Sequence, residues 1–373
     1  MKRGRRVGVS VALFAAVATG GAIFAAAVSG ATVRPGLTKV ATVKLANFGL
    51  YDLTWYGSVF GKPTVYLSDE SGIDAINAKT DTYLGSFGQH LFVPLGGGAA
   101  ACGVIGGIGP EGILSLAVGT SNQVWVGDGN STVKVFTLSE PGVGKLAAAI
   151  NTGGQCRADE FSYDPVQHLV LVANPSETSN FVSFITVHAN PKMDKVVGKI
   201  AYPNATGGLE QSVYDPNDGN FYLAVVQSGS TNSNVGAVDV ISPATKRVVR
   251  SVPVVGCQPA GMALDQQADE LLLGCSAKNA LMIMDAKTGA IVHTVTGVSG
   301  ADEVTYDPVS QDFLAPSTTP GGTAVLAEIS AKTGQLVATA TLPASAFTHS
   351  IAAGGAKAYV PVAGDGVVIY SVR

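Results

Sequence analysis

The phrase RADEFSYDP, residues 157–165, returns almost word for word as GADEVTYDP at 300–308. A looser copy, GLEQSVYDP, occupies 208–216. Self-similarity at a fixed period constrains a fold strongly, because every copy must make the same local unit and bury its apolar face against the next. Anchoring on the aspartate gives Asp164, Asp215, Asp265 (in GMALDQQ) and Asp307. Their spacings, roughly 50, 50 and 42 residues, are those of one propeller blade. After each anchor comes a second apolar run (HLVLVA, NFYLAVV, ELLLGC, DFLAPS), then a polar stretch and a third run (FVSFITV, GAVDVIS, ALMIMDA, AVLAEIS). A tight turn (ATKR at 244, AKTG at 286 and 331) leads to a fourth (VVRSVPV, IVHTVTG, LVATATL). Short β-branched runs cut by Gly, Asn, Asp and Pro are strand signals, and four of them joined by turns make one antiparallel blade.

The earlier chain fits the same grid. LYDLTWY, TVYLSDE and GIDAINAKTDTYLGSF make one blade; ILSLAV, QVWVGD, TVKVFTL and KLAAAI make the next. The C-terminus supplies only three strands, in HSIAAGG, KAYVPVA and GVVIYSV. LTKVATVKL, residues 37–45, is expected to be the missing fourth, closing the ring and removing its open edges. The expected fold is therefore all-β: a single seven-bladed β-propeller of four-stranded antiparallel blades over 37–373, closed by an N-terminal strand. With 46% hydrophobic and 13% charged residues, the chain can bury a core of that size.

The blade phrase ending in Asp-Pro, the β-rich second strand and the DAKTG hairpin at 285–289 resemble the repeats of YVTN/NHL-type bacterial β-propeller proteins. The resemblance spans roughly 37–373 and implies a propeller. Such repeats occur in binding proteins and in enzymes, so function has to be argued from a site.

Residues 1–31 read differently. MKRGRR is basic, the chain is apolar from Val7 to Val28, and small residues follow. This is the pattern of a signal peptide, with cleavage expected after Ala31. An uncleaved anchor, and with it membrane attachment, is the alternative, since about 20 apolar residues can span a bilayer. Either way the body is expected to be secreted or held in the cell envelope. In that setting Cys102, Cys156, Cys257 and Cys275 read as disulfides. Cys257 enters an inner strand and Cys275 ends the antiparallel strand beside it, which predicts Cys257–Cys275 and leaves Cys102–Cys156. The net charge of −4 provides no basic footprint for nucleic acid.

In a propeller the first strand of each blade lines the central channel, so the residues just before it ring the channel mouth on the top face. The seven entries are Tyr51-Asp52, Glu111-Gly112, Asp159-Glu160, Glu210-Gln211, Ala260-Gly261, Asp302-Glu303 and His349-Ser350. Asp52, Glu111, Asp159, Glu160, Glu210, Asp302 and Glu303 thus converge. Converging carboxylates need a cation, shared protons or a basic ligand. Calcium or another divalent cation suits such hard oxygen donors, and gluconolactonase- and paraoxonase-type propellers, whose mouths are similar in chemistry, hold calcium in the channel. The other reading is that these acids bond to backbone amides of neighbouring blades and stitch the ring. His349, in the same ring, reads as a general base, a metal ligand or a hydrogen-bonding residue of the last inner strand. His90, His168, His188 and His293 fall in turns or outer strands. No GxSxG, HExxH, P-loop or dinucleotide motif occurs. Two function classes follow: a binding or scaffold propeller taking a small-molecule or protein ligand on its top face, and a calcium-dependent lactonase-type hydrolase or lyase using the same site.

Overall fold

The structure, a computed structural model, describes residues 36–45, 49–70, 72–93, 102, 109–229, 234–276, 280–343 and 350–372. The leader reading of residues 1–31 and the candidate His349 lie outside them. Seven sheets of four antiparallel strands follow one another along the chain. In six of them the strands pair in sequence order. In the seventh, Thr38–Val43 lies outermost, beside Gly366–Ser371, then Lys357–Val362, then Ala352–Ala353. The register runs from Thr38 opposite Ser371 to Val43 opposite Val367. The ring is therefore closed by the N-terminal strand, as the three-strand count at the C-terminus requires.

The core lies between successive blades. With the blades numbered in chain order from Tyr51–Phe87 as blade 1 to the sheet closed by Thr38–Val43 as blade 7, Leu114, Trp125, Val133 and Val135 of blade 2 pack against Phe161, Val170, Val172 and Ile185 of blade 3. Leu281 and Ile283 of blade 5 meet Phe313, Ala327 and Ile329 of blade 6 in the same way. A middle strand is covered on both faces, which is why Leu169–Asn174 is buried throughout and its first five residues read as an unbroken apolar run. Outer strands alternate instead: every second residue of Arg247–Val255 and of Leu336–Thr341 is exposed over most of its length.

The recurrent Tyr-Asp-Pro has a double role. The Asp164 carboxylate accepts from the amides of Val166 (2.7 Å) and Gln167 (3.1 Å), capping its own turn. Asp215, Asp265 and Asp307 cap theirs likewise. The tyrosine of the next blade faces this turn: burial first, and then Asp164 beside Tyr214 and Asp265 beside Tyr306, raises the two phenols. One aspartate thus closes a turn and faces a tyrosine of the next blade. Both disulfides form as expected, Cys257–Cys275 with Cα atoms 4.8 Å apart and Cys102–Cys156 at 5.6 Å.

Candidate functional site

The inner strands begin with a common irregularity. In blades 1, 2, 4 and 5 the register slips by one residue across the entry pair, between Tyr51 and Thr54, Pro110 and Ile113, Leu209 and Ser212, Pro259 and Met262. In blade 3 the Asp159 amide donates to the Ala173 carbonyl (2.9 Å), and the Ala173 amide donates to the Glu160 carbonyl (3.0 Å), so two residues oppose one. These are β-bulges, which break the strict in-out alternation and re-aim side chains at a strand end. They explain how adjacent acids can both serve one end of the channel.

The bulges build two layers. In the upper one, carboxylate oxygens of the buried Asp52, Glu111 and Asp159 lie within 4.8 Å of one another. Arg157 reaches into this group. Its guanidinium is 3.0 Å from Asp159 Oδ2, 3.5 Å from Glu111 Oε2 and 3.9 Å from Glu210 Oε1. Burial opposes the charge of Arg157, but Asp159, Glu210, Glu111 and Asp52 hold it firmly protonated. Burial, reinforced by Asp52 and Asp159, pushes the Glu111 carboxyl up to about 9 despite the pull of Arg157. Glu111 Oε1 makes no hydrogen bond. The close approach of these groups depends on Gly112, where a Cβ would collide with the Asp159 carbonyl.

Arg157 is held by its neighbours. Cys156, immediately before it, is tied to Cys102. The Glu177 carboxylate accepts from the amides of Gln155 (2.7 Å) and Cys156 (2.8 Å), and the Ala158 amide donates to the Asp128 carbonyl (3.1 Å). On its solvent side Arg157 joins Glu210, Glu177, Asn180, Thr206 and Gly208 around a cavity of about 520 Å³.

The lower layer crosses the channel. Glu160 of blade 3 and Glu303 of blade 6 are both buried, and their carboxyls are hydrogen-bonded to each other. Burial first, and then the neighbouring acids, raises both well above the usual carboxyl range. A proton held between them satisfies the pair. The half-buried Asp302 adjoins Glu303 and contributes to its shift. Beside them Gln211 accepts from the amides of Met262 (2.6 Å) and Val304 (3.2 Å) and donates to the Val304 carbonyl (3.1 Å), joining blades 4, 5 and 6. Ser350, next to His349, accepts from the Thr54 amide (2.7 Å) and so ties the last blade to the first.

The expected residues therefore gather into two sets: Asp52, Glu111, Asp159 and Glu210 around Arg157, and Glu160 with Glu303 and Asp302 below. Arg157 and Gln211 were not expected as members. The arginine begins the very phrase that marks the repeat, yet no period singles it out; a lone cation before a run of acids was the available signal.

No family of known proteins matches this chain, and no curated protein matches it. Among solved structures it is similar to a chain of "Crystal Structure of Mitotic Checkpoint Complex", with a TM-score of 0.60 and 13% identity over 98% of this chain and 99% of that one. At that identity the likeness shows the fold alone, a propeller ring.

Proposed function

We propose that this chain is an exported binding propeller that receives its partner, a polar small molecule or a segment of another protein, at the acidic mouth on the top face. The observation that carries this reading is Arg157. Buried ion clusters add little net stability compared with apolar packing, because desolvation offsets most of the attraction. Arg157 and Glu210 emerge from the cluster into a polar cavity, already oriented by a disulfide and by Glu177. Preorganised donors and acceptors in a concavity are what recognition needs. Export is supported by the basic-apolar leader pattern and by two disulfides, which persist in oxidising compartments. The test is a thermal-shift screen of polar small molecules and extracellular peptides against the parent protein and Glu210→Gln. Stabilising ligands should lose their effect in the variant. Ligands that stabilise both proteins equally would place recognition elsewhere.

One observation favours a second reading, the lactonase-type enzyme. Asp52, Glu111 and Asp159 offer a compact oxygen triad suited to calcium. Loading it would require Arg157 to swing out towards the cavity. Lactone hydrolysis that disappears on chelation and returns with calcium would favour this reading over the first.

A further inference from the structure

Below the Glu160–Glu303 layer the channel widens into a separate bore. Its volume is about 620 Å³, within the usual range of small-molecule pockets, roughly 300–1,000 Å³. Glu160, Glu303 and Gln211 line its inner end. The walls include Leu114, Phe161 and Met262. Trp55, Tyr163, Tyr214 and Tyr306 line it as well, each half-buried. Its outer rim is made by Pro165, Pro216 and Pro308 of the Asp-Pro turns, all exposed. The bore thus opens on the face opposite the mouth, and it does not depend on the reading proposed for the top face.

Its charge is one-sided. Among the described residues that line it, Glu160 and Glu303 are the ionisable acids and none is Lys, Arg or His. Arg157 reaches Glu111, Asp159 and Glu210 in the layer above and does not line the bore. Aromatic faces along an apolar wall, leading to an acidic end with no basic partner, complement an organic cation: the rings attract it through their quadrupoles and the carboxyls accept its N–H groups.

We propose that the bore is a binding site for an aryl- or alkylammonium, entering from the Asp-Pro turn face with its apolar body among Trp55, Tyr163, Tyr214 and Tyr306 and its ammonium against Glu160 and Glu303. The bound ammonium donates its N–H groups to the carboxyl oxygens and supplies the cation that the lining of the bore lacks.

The probes are phenethylammonium and phenethyl alcohol, closely matched in shape, one charged and one neutral. Calorimetry gives both affinities. Tryptophan emission locates the site, because Trp55 lines the bore while Trp125 is fully buried with its indole N–H donated to Gln123. The ammonium is expected to bind about tenfold or more tighter than the alcohol and to change the emission. Glu160→Gln combined with Glu303→Gln should abolish that preference. Equal affinities, no detectable ammonium binding, or ammonium binding without a change in emission each overturns the proposal. The comparison on the parent protein decides the matter even if the double variant does not fold.

Discussion

Arg157→Met keeps the aliphatic stem and removes the charge from the mouth. The contacts with Asp159 at 3.0 Å and Glu210 at 3.9 Å are worth about 4–6 kcal/mol each as gross attraction at an effective dielectric near 20, while Glu111 at 3.5 Å, pushed up to about 9 and so largely protonated at neutral pH, adds less. Desolvation of the guanidinium offsets most of that sum. Removing one partner of a buried pair typically costs about 3–5 kcal/mol, because the remaining charge is stranded. The arginine side chain is 21% exposed, which places the expectation at the lower end, about 3 kcal/mol. With an unfolding entropy of about 2.1 cal/mol/K per residue over roughly 340 residues, that loss lowers Tm by about 4 °C. The loss should also depend on pH. Glu111 has a folded pKa of about 9, above its unfolded value. The native state then holds a proton that the unfolded chain has released, so stability falls as pH rises through that window. Without Arg157 the surrounding carboxyls ionise less readily still. The Tm difference between the parent and Arg157→Met is therefore larger near pH 8 than near pH 5. Thermal unfolding followed by circular dichroism at both values measures it. An unchanged midpoint, or a loss of equal size at both pH values, would refute the reasoning.

Three further predictions concern the ring. Deleting residues 38–43 exposes the edge of Gly366–Ser371 and should give oligomers by light scattering with a lowered Tm; an unaltered monomer would count against the closure. Cys102→Ser with Cys156→Ser opens a 54-residue separation, for which the chain-entropy model gives roughly 4 kcal/mol, read as a fall in the denaturation midpoint; peptide mapping under non-reducing conditions should recover the Cys102–Cys156 link in the parent. Tyr359→Phe removes the hydroxyl that donates to the Ala78 carbonyl (3.0 Å) of the first blade and should cost about 1 kcal/mol; no measurable change would mean that the bond adds nothing to the ring.

The architecture was legible because it is written repeatedly. The Asp-Pro phrase counts the blades, and the missing strand at the C-terminus points to residues 37–45. Strand order alone pairs Cys257 with Cys275. The ring of acids was also legible as a ring, since position within a repeat determines which end of the channel a residue occupies. What each acid does was not. That depends on the bulges, which seat Asp159 and Glu160 opposite Ala173 and hand one to Arg157 and the other to Glu303. A bulge is a register event, visible only once the second strand is in place. The bore was hidden for a related reason. Tyr163, Tyr214 and Tyr306 stand out in the repeat, but their half-buried walls form only when several inner strands are arranged around one axis. Gln211 reads as an ordinary polar residue until its amide is seen to span three blades.

Arg157 is the cation that faces the carboxylates of the mouth. The direct measurement is the thermal midpoint of the parent and of Arg157→Met in calcium, in magnesium and in a chelator. With the guanidinium in place, the parent should unfold at the same temperature in all three. Once the guanidinium is removed, Asp52, Glu111 and Asp159 are left to a metal ion, so calcium should restore part of the lost midpoint in the variant. A parent protein whose midpoint falls on chelation and recovers with calcium would contradict the account, because the mouth would then depend on a bound metal rather than on its own arginine.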